Sequence, residues 1–533
     1  MNGWILLPVF LPAAAGILLL ASSFREHLKN PEKGQSTDKV QPDRDSLRKL
    51  HMFVGAVLII SAAIAVLAGV SGEHSVTLFY LMENIPVYFR IDNIGRLFSI
   101  TTSIVWVLAG FYAFVYMEHE GEEKRFFGFY LLVYGILMAL DFAGNLVTLY
   151  FFYELMTLAS MPMVLHNGSK EAIMAALKYL FYSMCGAYLG LFGIFFLYRY
   201  CDTLAFLPGG NLNPSLVQGH ETILLIAVFC MLVGFGAKAG MLPLHAWLPA
   251  AHPVAPSPAS AVLSGIIVKS GVLAAVRTVY YVVGTEFLRG TWVQTAWIVL
   301  TLLTVFMGSM LAFREPVFKK RLAYSTVSQV SYILFGLALM EPSAMTGALL
   351  HTVFHAFIKC GLFLTAGAFI FKCHKTRVDE LKGIGKEMPV TLWCYAFSSL
   401  ALIGIPPASG FVSKWYLAQG ALDANVGVFR YLGPAVLLIS ALLTAGYLLP
   451  VAMQGFFPGR EAGKDVQAAK STAQTGSDGK SGRMRQTAVQ AKKSEPAVGM
   501  LLPLIILAAL SVLLGILPNP LIDFISRTVS GLM

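Results

Sequence analysis

The chain has 533 residues, 56% of them hydrophobic and only 13% charged, with a mean hydropathy of +0.69 and a formal net charge of +10. Soluble proteins carry nearer a quarter charged residues, so the composition argues against a water-soluble enzyme, and it excludes intrinsic disorder over the bulk of the chain. What remains is a membrane protein, because each bilayer-spanning helix takes about 20 apolar residues and such runs recur from end to end.

In chain order, the first apolar run extends from Trp4 to Ala21. No Lys or Arg precedes it, whereas Arg25, Lys29 and Lys33 follow it. A secretory signal has the opposite arrangement, so this run is predicted to be an uncleaved first span. Segment 24–50 mixes charges of both signs and reads as a solvated connector. Further spans are expected near 51–71, 94–116, 126–143, 145–165, 171–198, 222–242, 257–279, 292–313, 321–340, 344–371, 389–420, 431–455 and 498–517. With the first, that makes fourteen, which puts both termini on one side. Loops on the other side carry 27 Lys and Arg; the termini's side carries 6, namely Arg90, Arg199, Arg277, Arg289, Arg430 and Arg527. The positive-inside rule assigns the richer side to the cytoplasm, so both termini are expected outside, in a cell membrane. Segment 458–497 is rich in Ala, Gln, Gly, Ser and Lys, a composition expected of a flexible cytoplasmic loop.

The six cysteines, at 185, 201, 230, 360, 373 and 394, form no Cys-x-x-Cys. Iron–sulfur and structural zinc sites need clustered thiolates, so no cofactor and no metal centre is expected from them.

Six basic residues fall inside expected spans: Arg96, Lys178, Lys238, Lys269, Lys359 and Lys414. Glu154 is the one acid well inside. Each costs about 2.5–3.5 kcal/mol on insertion scales, so a functional role is the default reading. Glu154 follows Asn145 by nine residues, roughly 14 Å of helix and close to the midplane. Lys269 is similarly deep. Arg96 and Lys178 lie nearer span ends, where snorkelling to water is an equal alternative. Lys238 sits beside Gly240 and Pro243, and Lys414 beside Pro406, Pro407 and Gly410. Proline removes an amide donor and clashes with the preceding turn, so both spans are expected to break there. Interrupted helices at matching places in two halves point to internal repeats, here 125–281 and 292–455, around an ion pathway.

His351, His355 and Lys359 are spaced four apart and share one helical face. This polar stripe reads first as a proton relay; a structural stripe and a metal or haem site are the alternatives. A zinc site would want further Cys, His or carboxylate ligands. His245 and His252 flank the first break, as access-path groups or ordinary interfacial histidines.

The segments FFYELM, GFGAKAGMLPLHAWLPAAHPVAPSPASAVLSGIIVKSGVL, HTVFHAFIKCGLFLTAGA and GIPPASGFVSKW resemble those of the antiporter-like proton-pumping subunits of respiratory complex I. The same subunit type occurs in membrane-bound hydrogenases and Mrp-type cation/proton antiporters. The resemblance runs over roughly 90–455. It implies an all-α membrane fold of fourteen transmembrane helices with two inverted five-helix repeats containing broken helices. The chain would then divide into spans 1–3 (1–124), a first repeat (125–281), a second (292–455), a cytoplasmic loop (456–497), and a last span with its tail (498–533). By resemblance, Glu154 is the fifth-helix glutamate, Lys238 the seventh-helix lysine that pairs with it, and Lys269 the eighth-helix connecting lysine. His351, His355 and Lys359 match the eleventh-helix relay, and Lys414 the twelfth-helix terminal lysine. Partners are implied too: other membrane subunits of a redox or antiporter complex, which supply the driving energy. No span follows the fourteenth, which argues against the most distal complex I position. The expected function is proton translocation along this Glu/Lys/His axis, coupled to redox chemistry in partner subunits. The alternatives are a Na⁺/H⁺ antiporter subunit and, from another class, a haem- or metal-binding membrane redox subunit. The positive charge is then no nucleic-acid footprint, for it divides between cytoplasmic loops and the interior of the membrane.

Overall fold

The computed structural model describes residues 3–29, 44–82, 85–458 and 494–533. A single 3₁₀ turn at Gly3–Leu6 leads into α1 (Leu7–Lys29), followed by α2 (Arg44–Val70). The connector expected over 24–50 is therefore partly helical at both ends, and its middle, 30–43, lies outside the described residues. Between α2 and the next helix, in the stretch expected to connect two spans, the chain forms two strands. β1 (His74–Met82) and β2 (Ile85–Ile91) form an antiparallel hairpin in which His74 faces Ile91 and Val76 faces Phe89. The alternation in Ser-Val-Thr-Leu-Phe is the strand signal that was available in the sequence. Its backbone continues onto the segment after the fourth helix, with Arg90 N donating to Phe142 O (2.7 Å) and Gly144 N to Tyr88 O (3.0 Å). We call this end of the bundle the hairpin face.

α3 (Asn93–Glu120), α4 (Glu123–Asp141), α5 (Leu146–Val164) and α6 (Lys170–Tyr200) then run up and down. Three of these starts are capped in the ordinary way: Asp92, Asn145 and Ser169 each accept from a backbone amide three residues on. α7 (Glu221–Lys238) stops at the lysine itself. After an irregular stretch and a short helix, Leu248–Val254, the chain enters α8 (Ser257–Val283). α8 contains two wide π-type segments, Leu263–Ile267 and Arg277–Val283. The span expected to end at 279 thus runs on, and Arg277, read as a loop residue from the sequence, is inside the helix and buried. α9 (Trp292–Arg314), α10 (Phe318–Ala338) and α11 (Pro342–Cys373) follow. The span expected over 389–420 is two helices, α12 (Pro389–Ile403) and α13 (Ser409–Asp423), separated at Gly404–Ala408. α14 (Phe429–Phe456), α15 (Val498–Ile516) and a terminal helix α16 (Asn519–Ser530) complete the chain.

Among the described residues, eleven helices are long and apolar enough to cross a membrane. The helices α4 and α10 occupy two further expected positions. α10 is buried over most of its length and carries Ser325, Thr326, Ser328, Gln329 and Ser331. It tolerates them because several hydroxyls find partners on neighbouring helices, as in Ser328 to Val305 O (2.9 Å) and Ser264 to Thr326 (2.7 Å).

At the centre of the bundle stand α8, buried throughout its apolar stretch, and α11, buried over nearly all of its own. Helices around them pack through small residues. Gly186 of α6 and Gly234 of α7 each face the other's carbonyl so closely that a methyl on either would overlap it. At the far end of the chain, Glu495 caps the start of α12, accepting from Val390 N (2.6 Å) and from the Thr391 hydroxyl (2.6 Å). The flexible-loop reading of 456–497 falls mostly on 459–493, outside the described residues.

Candidate functional site: a buried line of lysines and histidines

α7 ends at Lys238, where Gly240 takes a left-handed conformation (φ 78°) and Pro243 has no amide to carry the helix on. Trp247 closes the broken end by donating Nε1–H to Ala237 O (2.9 Å). The Lys238 side chain is fully buried in a cage of hydroxyls: Nζ donates to Thr157 Oγ1 (2.5 Å), Tyr179 OH (3.2 Å) and Ser183 Oγ (3.4 Å). The rings of Tyr179 and Tyr153 flank it at 4.8 and 5.5 Å. Glu154 is on α5 one turn before Thr157, half-buried, and accepts from Tyr150 OH at 3.4 Å. It makes no ion-pair contact with Lys238 in this arrangement; the hydroxyls of Thr157, Tyr179 and Ser183 are what Lys238 touches.

The structure brings Lys269, His355, His351 and Lys414 into one line. Lys269 Nζ lies 2.7 Å from His355 Nδ1 and also donates to Ser264 O (2.8 Å). The latter carbonyl is in the π-type segment, where the wide turn leaves it open to a side chain. His355 and His351 have ring centroids 5.8 Å apart on α11. His351 Nδ1 lies 2.9 Å from Ser413 Oγ on α13 and its ring stacks on Tyr332 of α10 at 5.7 Å. At the far end of these contacts is Lys414, whose Nζ is 5.2 Å from the Tyr332 ring centre. Lys414 donates to Leu402 O (2.7 Å) and Ile403 O (2.8 Å), the last carbonyls of α12. The break that frees those carbonyls contains the cis Pro406–Pro407 bond.

Lys359, expected in the same stripe, turns toward α10 instead, donating to Ser325 Oγ (2.5 Å) and Leu322 O (3.1 Å). Of the two basic residues read as near span ends, Lys178 is exposed and Arg96 donates to Asn93 Oδ1 (3.3 Å). His252 is fully buried and stacks on Phe363 (4.5 Å), with neither ring nitrogen hydrogen-bonded.

Sequence reasoning missed several members of this interior. Thr157, Tyr179 and Ser183 carry no charge to draw attention, although Thr157 is three residues from Glu154 and so on its face. Lys319, counted with a loop, is buried and donates to Ala255 O (2.6 Å). Arg277 forms a two-pronged pair with Asp92, one arm Nη2–Oδ1 at 2.7 Å, and Asp141, at the end of α4, is buried beside it.

Fold and interior together define a polytopic membrane protein with a buried line of ionisable groups. A family model described as NADH:quinone oxidoreductase/Mrp antiporter, transmembrane, matches residues 143–443, and the chain belongs to that family. It is 32% identical over 414 residues to NADH-quinone oxidoreductase subunit N of Desulforudis audaxviator, covering 75% of this chain and 81% of that one. It is 27% identical over 527 residues to a Na⁺/H⁺ antiporter subunit of Alkalihalophilus pseudofirmus, covering 98% and 96%. Among solved structures, a chain of the Mrp complex from Dietzia sp. superposes with a TM-score of 0.78 at 22% identity over 100% of this chain and 98% of that one, a likeness of fold.

Proposed function

We propose that the protein is a proton-translocating membrane subunit of a complex I-like respiratory or hydrogenase complex. Protons move along Glu154, Lys238, Lys269, His355, His351 and Lys414, with Lys359 feeding the line from the α10 side, and redox chemistry in partner subunits drives them. The observation that carries this reading is the 2.7 Å contact between Lys269 and His355 in the middle of the bundle, continued by His351 toward Lys414. A low-dielectric interior favours the neutral amine and a nearby carboxylate favours the ammonium. Approach of Glu154 to Lys238 therefore holds a proton on that lysine, and its withdrawal to Tyr150 releases one. The hydroxyl cage keeps Nζ solvated in both states. The same reading sets the two repeats as 125–281 and 292–455, each with a break beside its lysine. It puts the Lys/Arg-rich face in the cytoplasm of a cell membrane and both termini outside.

A second reading has its own support: the similarity to the Alkalihalophilus antiporter protein runs nearly end to end. It makes the chain a subunit of an Mrp-type Na⁺/H⁺ antiporter, with the same axis carrying the proton half of the exchange. Replacing Lys238 or Glu154 by Ala in the assembled complex in vesicles is expected to abolish coupled proton transport. Wild-type transport by both variants overturns the proton-axis reading, and transport that requires sodium decides for the antiporter.

A further inference from the structure

His355 and His351 each place an imidazole in the central line. A neutral imidazole has one nitrogen that donates and one that accepts, and which is which decides the atom on which a proton arrives. The contacts around the two rings settle this differently.

At His355 the tautomer follows the lysine. Nδ1 lies 2.7 Å from Lys269 Nζ. An ammonium has three N–H bonds and no lone pair. While Lys269 is charged, Nδ1 must therefore accept, and a neutral His355 carries its hydrogen on Nε2. Once Lys269 is neutral, its lone pair can accept from Nδ1–H as well, so this ring is free to take either form.

At His351 the partner is Ser413 Oγ, 2.9 Å from Nδ1. Ser413 precedes Lys414 on α13, is fully buried, and donates its hydroxyl hydrogen to Gly410 O at 3.1 Å. A hydroxyl has one hydrogen and a carbonyl only accepts. With that hydrogen on Gly410 O, Ser413 Oγ can only accept from the ring, so His351 Nδ1 bears the hydrogen. The other tautomer is poorer by one bond. There Ser413 would turn its hydrogen to Nδ1 and give up Gly410 O. The ring's hydrogen would sit on Nε2, which is buried and has no partner among the described residues, and a buried donor left without an acceptor is costly. The plane of the ring is fixed too: it stacks on Tyr332 at 5.7 Å, and Tyr332 OH is tied to Leu437 O of α14 (2.8 Å).

We propose that Ser413 is a positioning residue for proton transfer: it holds neutral His351 as the Nδ1–H tautomer, and Nε2 is the atom on which His351 takes up a proton. This rests on the proton-transfer reading given above. In the step, the Nε2 lone pair forms a bond to a proton released by the Lys269–His355 pair. That pair loses one positive charge and His351 becomes an imidazolium, with Nδ1–H still on Ser413. When the Nε2–H bond breaks and its proton passes to a neutral Lys414 amine, the starting ring returns and Ser413 has not moved. Loss of the Nδ1 hydrogen instead would leave the other tautomer. Ser413 would then have to swing its hydrogen from Gly410 O to Nδ1.

The test uses the assembled complex in bilayers, with histidine labelled with heavy nitrogen. Solid-state NMR distinguishes a ring nitrogen that bears hydrogen from one that does not, and His351→Gln identifies the His351 signals by their loss. In the wild type, Nδ1 of His351 is expected to bear the hydrogen and Nε2 to be bare. The opposite tautomer overturns the proposal without any serine variant. In Ser413→Ala the Nε2–H tautomer is expected to appear, and proton transport in vesicles to slow by about tenfold, the rate equivalent of one ordinary hydrogen bond. An unchanged tautomer or a wild-type rate in that variant refutes the serine's role. Transport by His351→Gln separates the two readings. If it is lost while Ser413→Ala transports normally, the serine's role falls and the central line stands. If His351→Gln itself transports normally, the line falls at this histidine.

Discussion

The two broken helices solve one problem with different chemistry. At the first, Lys238 is the last residue of the helix before the break, and side chains from other helices solvate it: Thr157, Tyr179 and Ser183. At the second, Lys414 lies beyond the break and reaches back to main-chain carbonyls of Leu402 and Ile403. A hydroxyl both donates and accepts, so the first cage can turn to suit a neutral amine or an ammonium. A carbonyl only accepts. The second site therefore offers acceptors alone, which either form of the amine can meet with its N–H donors, and the lysine there doubles as the cap of a helix end.

The largest effects should separate these two jobs. Lys238→Met and Lys414→Met are both expected to abolish transport. Their stabilities should diverge, because Lys238→Met replaces a buried ionisable group by an apolar one and leaves hydroxyls that already bond elsewhere, such as Tyr179 with Ser160 (2.7 Å). Lys414→Met leaves two helix-end carbonyls short of a donor, at about 1–3 kcal/mol for each that goes unsatisfied. Thermal unfolding of the two variants measures this; equal midpoints would erase the distinction.

Next come the glycines that let each break close. A methyl at Gly410 would overlap Ala401 O, and one at Gly271 would overlap Phe235 O just before Lys238. Alanine at either position is expected to cost about 3 kcal/mol, the upper part of the usual range for overpacking, with Gly410 the worse because its obstacle is closer. Detergent-solubilised yield and unfolding midpoint report it. The smallest effect is particular to the first site. Thr157→Val should slow transport by about tenfold, corresponding to ~1.5 kcal/mol for a lost bond to a charged group, and no side-chain substitution at Leu402 or Ile403 that preserves size should do the same. Transport at the wild-type rate in Thr157→Val would show that the cage is passive.

Much of this interior was legible because charge inside an apolar run is conspicuous. Lys238, Lys269 and Lys414 stand out on insertion cost alone, and Pro243 and Pro407 mark the breaks. The four-residue spacing of His351 and His355 supplied a shared face, and the structure adds that Tyr332 lies between His351 and Lys414. What hydropathy hides are residues at span ends and residues without charge. Arg277 looked like a loop arginine because it lies within two residues of the expected span end at 279, whereas the helix continues to Val283 through a π-type turn. Asp141 lies where a helix normally meets water, yet it is buried and bonded to Thr102 of α3. The hairpin itself, with Phe79, Tyr80 and Leu81 exposed, falls between two expected spans and shows only when its alternation is followed residue by residue. Lys359 points to a different limit: helical spacing says which face a side chain occupies, and the packing of α10 decides which neighbour it reaches.

The clamp formed by Glu495 on the start of α12 bears on the integrity of the polypeptide as a whole. On the near side of segment 459–493, Gln454 O holds Gly383 N at 2.9 Å. On the far side, Ser494 N donates to Glu387 O (2.8 Å) and Glu495 grips Val390 and Thr391. Both ends of that segment are thus tied independently to the same short stretch before and at the start of α12. The seating of α15 depends on these anchors and on its own apolar contacts, so the architecture at this corner does not require an unbroken covalent chain between residues 458 and 494.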